Sequence, residues 1–268
     1  MFRRLKYRAI ACTILPAAAF PGLFGCANSL EVTTESIQVG DTVVELRTSR
    51  ATSDGLWFVN VHDDENTSVR AAVDHVAVRG GTILELRHTG DRYVSFRVGA
   101  DSFRVDPNRM FTDAGIRASL ERELGYSDAA AAEVRGLANA ILARMDTADP
   151  TWIVALHNNT EDSYSLESYL PGGPYASDAS AIHRNTESDP DDFYFVTDFA
   201  LYLALARHNA NVVLQRNDFV TDDGSLSVRA SRDDRRYVNV EAQHGHLRRQ
   251  KRLIRRLEST LNRIENVD

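Results

Sequence analysis

Cysteine is nearly absent from this 268-residue chain. Cys12 and Cys26 are the only two, and both fall within the first 26 residues. The remainder therefore has no disulfide, no thiolate metal ligand and no thiol nucleophile. An excess of positive charge is also missing. Lys and Arg number 31 against 38 Asp and Glu, a formal net charge of −7, which argues against a nucleic-acid partner, because a phosphate backbone needs a basic face. No internal repeat is visible. Hydrophobic residues make up 43% of the chain, enough for a full core, which excludes global disorder.

The first 26 residues differ from the rest. Arg3, Arg4, Lys6 and Arg8 precede an apolar run from Ala9 to Phe24 that is broken by Pro16 and Pro21. The run is too short and too interrupted for a membrane span and reads as an export signal. It ends in Leu23-Phe24-Gly25-Cys26, which resembles a bacterial lipobox, with lipidation expected at Cys26; an ordinary cleaved signal is the alternative. Removing residues 1–25, which hold four basic residues and no acidic one, leaves a net charge of −11. The expected location is the periplasmic side of a bacterial membrane, with membrane contact only through the N-terminal lipid.

Residues 27–40 are small and polar and are expected to form a tether, followed by one domain over 41–268. Strands are expected at Thr42–Arg47, Leu56–Val61, Thr82–Leu86, Tyr93–Val98, Trp152–Leu156, Phe193–Val196, Val212–Leu214 and Tyr237–Val240. Helices are expected over Thr67–Val78, stopped by Gly80-Gly81, from a Ser127 cap to about Met145, over Asp198–Arg207 and over Leu247–Ile264. The last places Ile254, Leu257, Leu261 and Ile264 on one face, with its arginines on the wet face. Strands alternating with helices predict a three-layer α/β/α domain around a mixed or mostly parallel sheet. Asn158–Asp192 lacks periodicity, and a loop of that length in a compact domain is usually functional.

Four segments carry chemistry. A buried strand runs into His62-Asp63-Asp64-Glu65, and sites in open α/β sheets form beyond the carboxyl ends of strands. An imidazole nitrogen with a carboxylate oxygen suits zinc, although a surface His and Glu pair arises easily by chance. A second strand ends in Leu156-His157. Together His62, Glu65 and His157 make one of the known catalytic zinc ligand sets with an open position; the other reading of His157 is a core histidine bonded to a carbonyl. A third strand delivers Glu241, either a proton carrier beside an activated water or a strand-end surface residue. In Phe103-Arg104-Val105-Asp106-Pro107-Asn108-Arg109, the Asn-Arg pair offers a planar fork of donors for a substrate carboxylate, or else a structural ion pair.

In this order the segments resemble the zinc carboxypeptidase (M14-like) superfamily, within it the succinylglutamate desuccinylase/aspartoacylase branch. That pattern is His-x-x-Glu, then Asp-x-Asn-Arg followed by an aromatic, then Leu-His-Asn-Thr, then a late Glu with a downstream Gly. Here the matching residues are His62 to Glu65, Asp106 to Arg109 with Phe111, Leu156 to Thr160 with one extra Asn, and Glu241 with Gly245. The resemblance spans residues 56–250. It implies a zinc-exopeptidase, phosphorylase/hydrolase-like fold, and one zinc ion on His62, Glu65 and His157. It further implies Glu241 as general base and then acid, Asn108 and Arg109 as the carboxylate seat, and Arg104 as the group that polarises the carbonyl. The expected activity is hydrolysis of an amide or peptide bond beside a free carboxylate, in a small peptide or acyl-amino acid. The competing readings are a non-catalytic zinc- or ligand-binding envelope lipoprotein on the same fold and a hydrolase of peptidoglycan peptides.

Overall fold

A computed structural model describes residues 29–161 and 163–265 of the chain; the export signal and the expected lipidation site Cys26 lie outside them. In chain order the elements are β1 (Glu31–Val39), β2 (Thr42–Arg50), β3 (Trp57–Asn60), α1 (Asn66–Arg79), β4 (Thr82–Arg87), β5 (Val94–Val98), β6 (Asp101–Val105), α2 (Asp113–Glu123), α3 (Asp128–Ala148), β7 (Ile153–Asn159), β8 (Ala179–His183), β9 (Phe193–Val196), α4 (Phe199–Arg207), β10 (Val212–Gln215), α5 (Leu226–Arg232), β11 (Tyr237–Gln243) and α6 (Leu247–Glu265).

Nine strands form one sheet in the order β1-β2-β4-β3-β7-β11-β9-β10-β8, and β5 pairs with β6 as a separate hairpin. The four central strands β4, β3, β7 and β11 are parallel, and antiparallel strands close both flanks. Alternation along the central strands feeds two cores. Trp57 and Val59 of β3 and Ile153 and Ala155 of β7 face the layer of α2, α3 and α5. Phe58, Val154, Leu156, Val238 and Val240 face α1, α4 and α6. The mixed three-layer architecture expected from the sequence is the one observed. The helix starts also follow the expected chemistry: Ser127 accepts from the Ala130 amide and Asp198 from the Leu201 amide.

Two expectations are corrected. The proposed tether over 27–40 is largely β1, an edge strand joined to β2 through Gly40-Asp41, with Gly40 at φ 57°. Its polar composition belongs to an outer strand with little to bury, so alternation was faint; only its end packs on the core, through Ile37 and the fully buried Val39. The stretch 158–192 is no bare loop either. It continues β7 to Asn159 and carries two short 3-10 turns and the edge strand β8.

The chain crosses from β3 through α1 to β4 on one side, and β7 lies on the other side of β3. The carboxyl ends of β3 and β7 thus meet at a switch point, where an open α/β sheet leaves a crevice.

Candidate metal centre and active site

β3 ends at Asn60, and the chain turns tightly through His62–Glu65, with the Glu65 amide donating to the His62 carbonyl at 3.2 Å. Glu65 occupies the cap position of α1, yet its side chain caps nothing. Asn158 of β7 takes over that task and accepts from the Ser68 amide at 2.9 Å. The Glu65 carboxylate is thereby free to turn inward.

It meets two histidines. His62 Nδ1 lies 2.8 Å from Glu65 Oε1, His157 Nδ1 lies 2.9 Å from Glu65 Oε2, and the two Nδ1 atoms are 3.1 Å apart. All three side chains are buried. A tetrahedral zinc site with metal–nitrogen distances of about 2.0–2.1 Å has ligand–ligand edges of about 3.3 Å, so the three donor atoms are spaced as such a site needs. The far side of His62 supports this. Its Nε2 lies 2.8 Å from Asp106 Oδ1, the carboxylate partner that fixes a metal-ligating imidazole with its proton on the outer nitrogen and its lone pair on the inner one. Two imidazole nitrogens and a carboxylate oxygen then converge on one point, a donor set able to hold a cation. The donor set fits zinc.

The electrostatics show the same demand for positive charge. Burial lowers the proton affinity of His62, but the Glu65 and Asp106 carboxylates outweigh it and raise the pKa to about 9. Glu65 is buried too, yet the two histidines hold it far below the ordinary carboxylate range. Asp106 is likewise held low against burial by His62, with Arg92 and Arg109 adding to the effect.

The centre opens on a cavity of about 400 Å³. Tyr237, Asn239 and Glu241 alternate along one face of β11 and all line it. Glu241 is the register partner of His157 on β7 and accepts from Asn239 Nδ2 at 2.9 Å. Burial, reinforced by Glu65, raises its proton affinity against the pull of His157.

Asn108 and Arg109 line the same cavity from a 3-10 turn capped by Asp106. Asn108 accepts from the Leu226 amide at 3.1 Å, and Arg109 donates to the Asn108 carbonyl at 2.6 Å and faces Asp223 at 3.5 Å. The segment around Asp223 is pressed onto this turn. Gly224, at φ 77°, approaches so closely that a Cβ would lie 2.4 Å from the Arg109 carbonyl oxygen. Tyr164, Tyr169 and Tyr175 of the 158–192 stretch form another wall, with the Tyr164 and Tyr169 hydroxyls 2.6 Å apart.

Arg104 does not belong here. It is held by Glu123 at 2.6 Å and lies over the Tyr93 ring, outside the cavity lining. The reason is strand alternation: Phe103 and Val105 of β6 point into the core, so Arg104 points away from it. Besides Arg109, the cavity lining holds Arg92, which donates to Glu65 Oε1 at 2.9 Å and reaches Asp106 Oδ2 at 3.5 Å. It lies between β4 and β5, where no motif marked it. The role of Asp106 was also missed, although the residue stood in the quoted motif; an acid before Asn-Arg gives no sign of facing a histidine 44 positions away.

No family model matches the chain, and no curated protein matches it. Among solved structures it is similar to murein-tripeptide amidase MpaA from Escherichia coli O157, at 17% identity over 83% of this chain and 91% of that one, with a TM-score of 0.42. It is also similar to an aspartoacylase family protein from Mesorhizobium loti, at 10% identity over 87% of this chain and 67% of that one, TM-score 0.42. A third is bovine thrombin-activatable fibrinolysis inhibitor, solved in complex with tick carboxypeptidase inhibitor, at 10% identity over 87% and 91%, TM-score 0.45. These are distant similarities of chain path, too low to carry residues across. The chemistry has to come from this chain's own side chains.

Proposed function

We propose that the protein is a zinc-dependent hydrolase of an amide or peptide bond that lies next to a free carboxylate. The observation that carries this reading is the convergence of His62 Nδ1, His157 Nδ1 and the Glu65 carboxylate within 2.8–3.1 Å of one another, with Asp106 behind His62. When bound by these three residues, one zinc ion supplies a Lewis acid for the scissile carbonyl and lowers the pKa of a water toward neutrality.

The other residues divide the remaining work. Asp106 keeps His62 in the tautomer whose inner nitrogen carries the lone pair. Glu241, raised in proton affinity by burial, takes a proton from the attacking water and returns it to the leaving amine. Arg92 takes the role expected of Arg104, with a guanidinium at the cavity wall to meet negative charge developing on the carbonyl oxygen. Asn108 and Arg109 seat the substrate carboxylate, for which the planar fork of Arg109 is suited. Tyr164, Tyr169 and Tyr175 wall the pocket in which the substrate lies. The substrate class is a small peptide or an acyl-amino acid. The charged start, apolar run and Leu-Phe-Gly-Cys ending of residues 1–26 support an exported protein anchored by lipid at Cys26.

The experiment is a substrate panel of matched peptides and N-acyl amino acids with free or amidated carboxyl ends. Hydrolysis is expected only with the free end, and Arg109→Leu should remove that preference. Equal turnover of both ends would contradict the assigned seat.

A further inference from the structure

Helices α1, α4 and α6 cover the face of the sheet opposite Tyr237, Asn239 and Glu241. Together they carry ten Lys and Arg against three Asp and Glu, in a chain whose net charge is −7. Helices α2, α3 and α5 on the other face carry six of each sign. Of the two helical layers, only this one is thus net positive.

Most of it lies on α6, whose inner face is fixed by Leu253, Ile254, Leu257 and Leu261. Arg249 and Lys251 are neutralised by Asp192 and Asp74. Arg248, Arg252, Arg255 and Arg256 are exposed and have no ion-pair partner among the described residues. Their spacing of four and three sets them in one row on the outer face. Like charges so spaced repel one another, which costs helix stability and is relieved by an external anion. Two other helices of the same layer expose apolar side chains. Val78 of α1 is 71% exposed and Phe199 of α4 is 60% exposed.

We infer that this helical layer docks on an anionic phospholipid surface. Two observations favour a bilayer over a soluble polyanion. Exposed apolar side chains on the same helical layer as unpaired arginines suit a headgroup interface, where the one enters and the other pairs with phosphate. The chain also enters the fold on this side, because Leu30 packs against the same cluster as α1, α4 and α6. Cys26 stands four residues earlier, at most about 14 Å of extended chain. A lipid there would hold this side of the domain at the membrane, and the arginine row would fix its orientation, with the catalytic face turned from the bilayer.

The test uses the full chain with Cys26→Ser, so that no acyl chain contributes, and two derivatives of it. One has Arg248, Arg252, Arg255 and Arg256 all changed to Glu, the other has all four changed to Gln. Vesicles are phosphatidylcholine alone or with about 30% phosphatidylglycerol. On the anionic vesicles the parent should bind at least about 10-fold more tightly than either derivative, and raising salt to about 500 mM should erase the difference. On phosphatidylcholine all three should bind alike, since any contribution from residues 1–25 is common to them. Equal binding of the three to anionic vesicles at low salt overturns the inference, as does a difference seen on heparin but not on vesicles. Either result leaves the hydrolase proposal standing, because no residue of the cavity is changed.

Discussion

His157 and Glu241 stand directly opposite one another on the adjacent parallel strands β7 and β11. In parallel register such partners point to the same face of the sheet, so an imidazole and a carboxylate enter one cavity from rigid neighbouring strands. Strands position side chains more tightly than loops do, and this pair joins the expected metal centre to the expected proton carrier.

Glu241→Gln separates the two roles. The amide is isosteric and can still be reached by Asn239, and none of the three donor atoms at the centre changes. Zinc content should match the parent, while kcat/KM should fall by about 10²–10⁴-fold. Metal analysis and steady-state kinetics on the same preparation check this, and retained turnover would remove Glu241 from the chemistry.

Asp106→Asn probes the group behind His62. The substitution keeps the shape but replaces an anion that accepts the His62 proton at 2.8 Å. Zinc affinity should weaken by about 10–100-fold. A competition titration with a chelator measures it, and an unchanged affinity would mean that His62 is oriented by other means.

Gly224→Ala probes the carboxylate seat without touching it. The added Cβ would lie 2.4 Å from the Arg109 carbonyl oxygen and 2.5 Å from the Gly115 Cα, at a backbone φ of 77°. The segment carrying Asp223 must then move off the Asn108-Arg109 turn. Stability should drop by about 1–3 kcal/mol. KM for carboxylate-ended substrates should rise more than kcat falls. Denaturant unfolding and kinetics read the two effects.

Much of this site was legible because its chemistry sits at strand ends. His62, His157 and Glu241 each follow a short buried run, and such runs are readable from composition alone. Asn108-Arg109 was legible only through the motif order. Arg92 was not, because it comes from a turn between β4 and β5 and reaches Glu65 and Asp106 through tertiary packing. Arg104 was misplaced because a motif gives sequence spacing, whereas alternation along β6 turns the side chain away from the core, where Glu123 of α2 holds it. In the fold, β1 was missed because an edge strand with both faces partly wet lacks the alternation of a half-buried one. α2 and α5 were missed because they are short and largely polar, and packing rather than pattern holds them.

Asp192 sets a pH dependence of stability outside the cavity. Burial raises its pKa to about 6, despite the opposing charge of Arg249. A carboxyl group whose folded pKa lies above its unfolded value binds its proton more tightly in the native state. Its contribution is therefore fully present below the unfolded pKa near 4 and is lost as pH rises through about 6. Native stability should contain a component that falls between about pH 4 and 7, and Asp192→Asn should flatten it. Chemical denaturation across that range is the check, and an identical slope in the variant would exclude Asp192 as its source.

The claim of a zinc centre is tested most directly by metal analysis of the purified full-length protein beside its His62→Ala and His157→Ala variants. One zinc per chain is expected in the parent, with loss of stoichiometric zinc in both variants and hydrolysis lost in parallel. A parent without zinc after exposure to it, or zinc retained undiminished when either histidine is removed, would contradict the assignment.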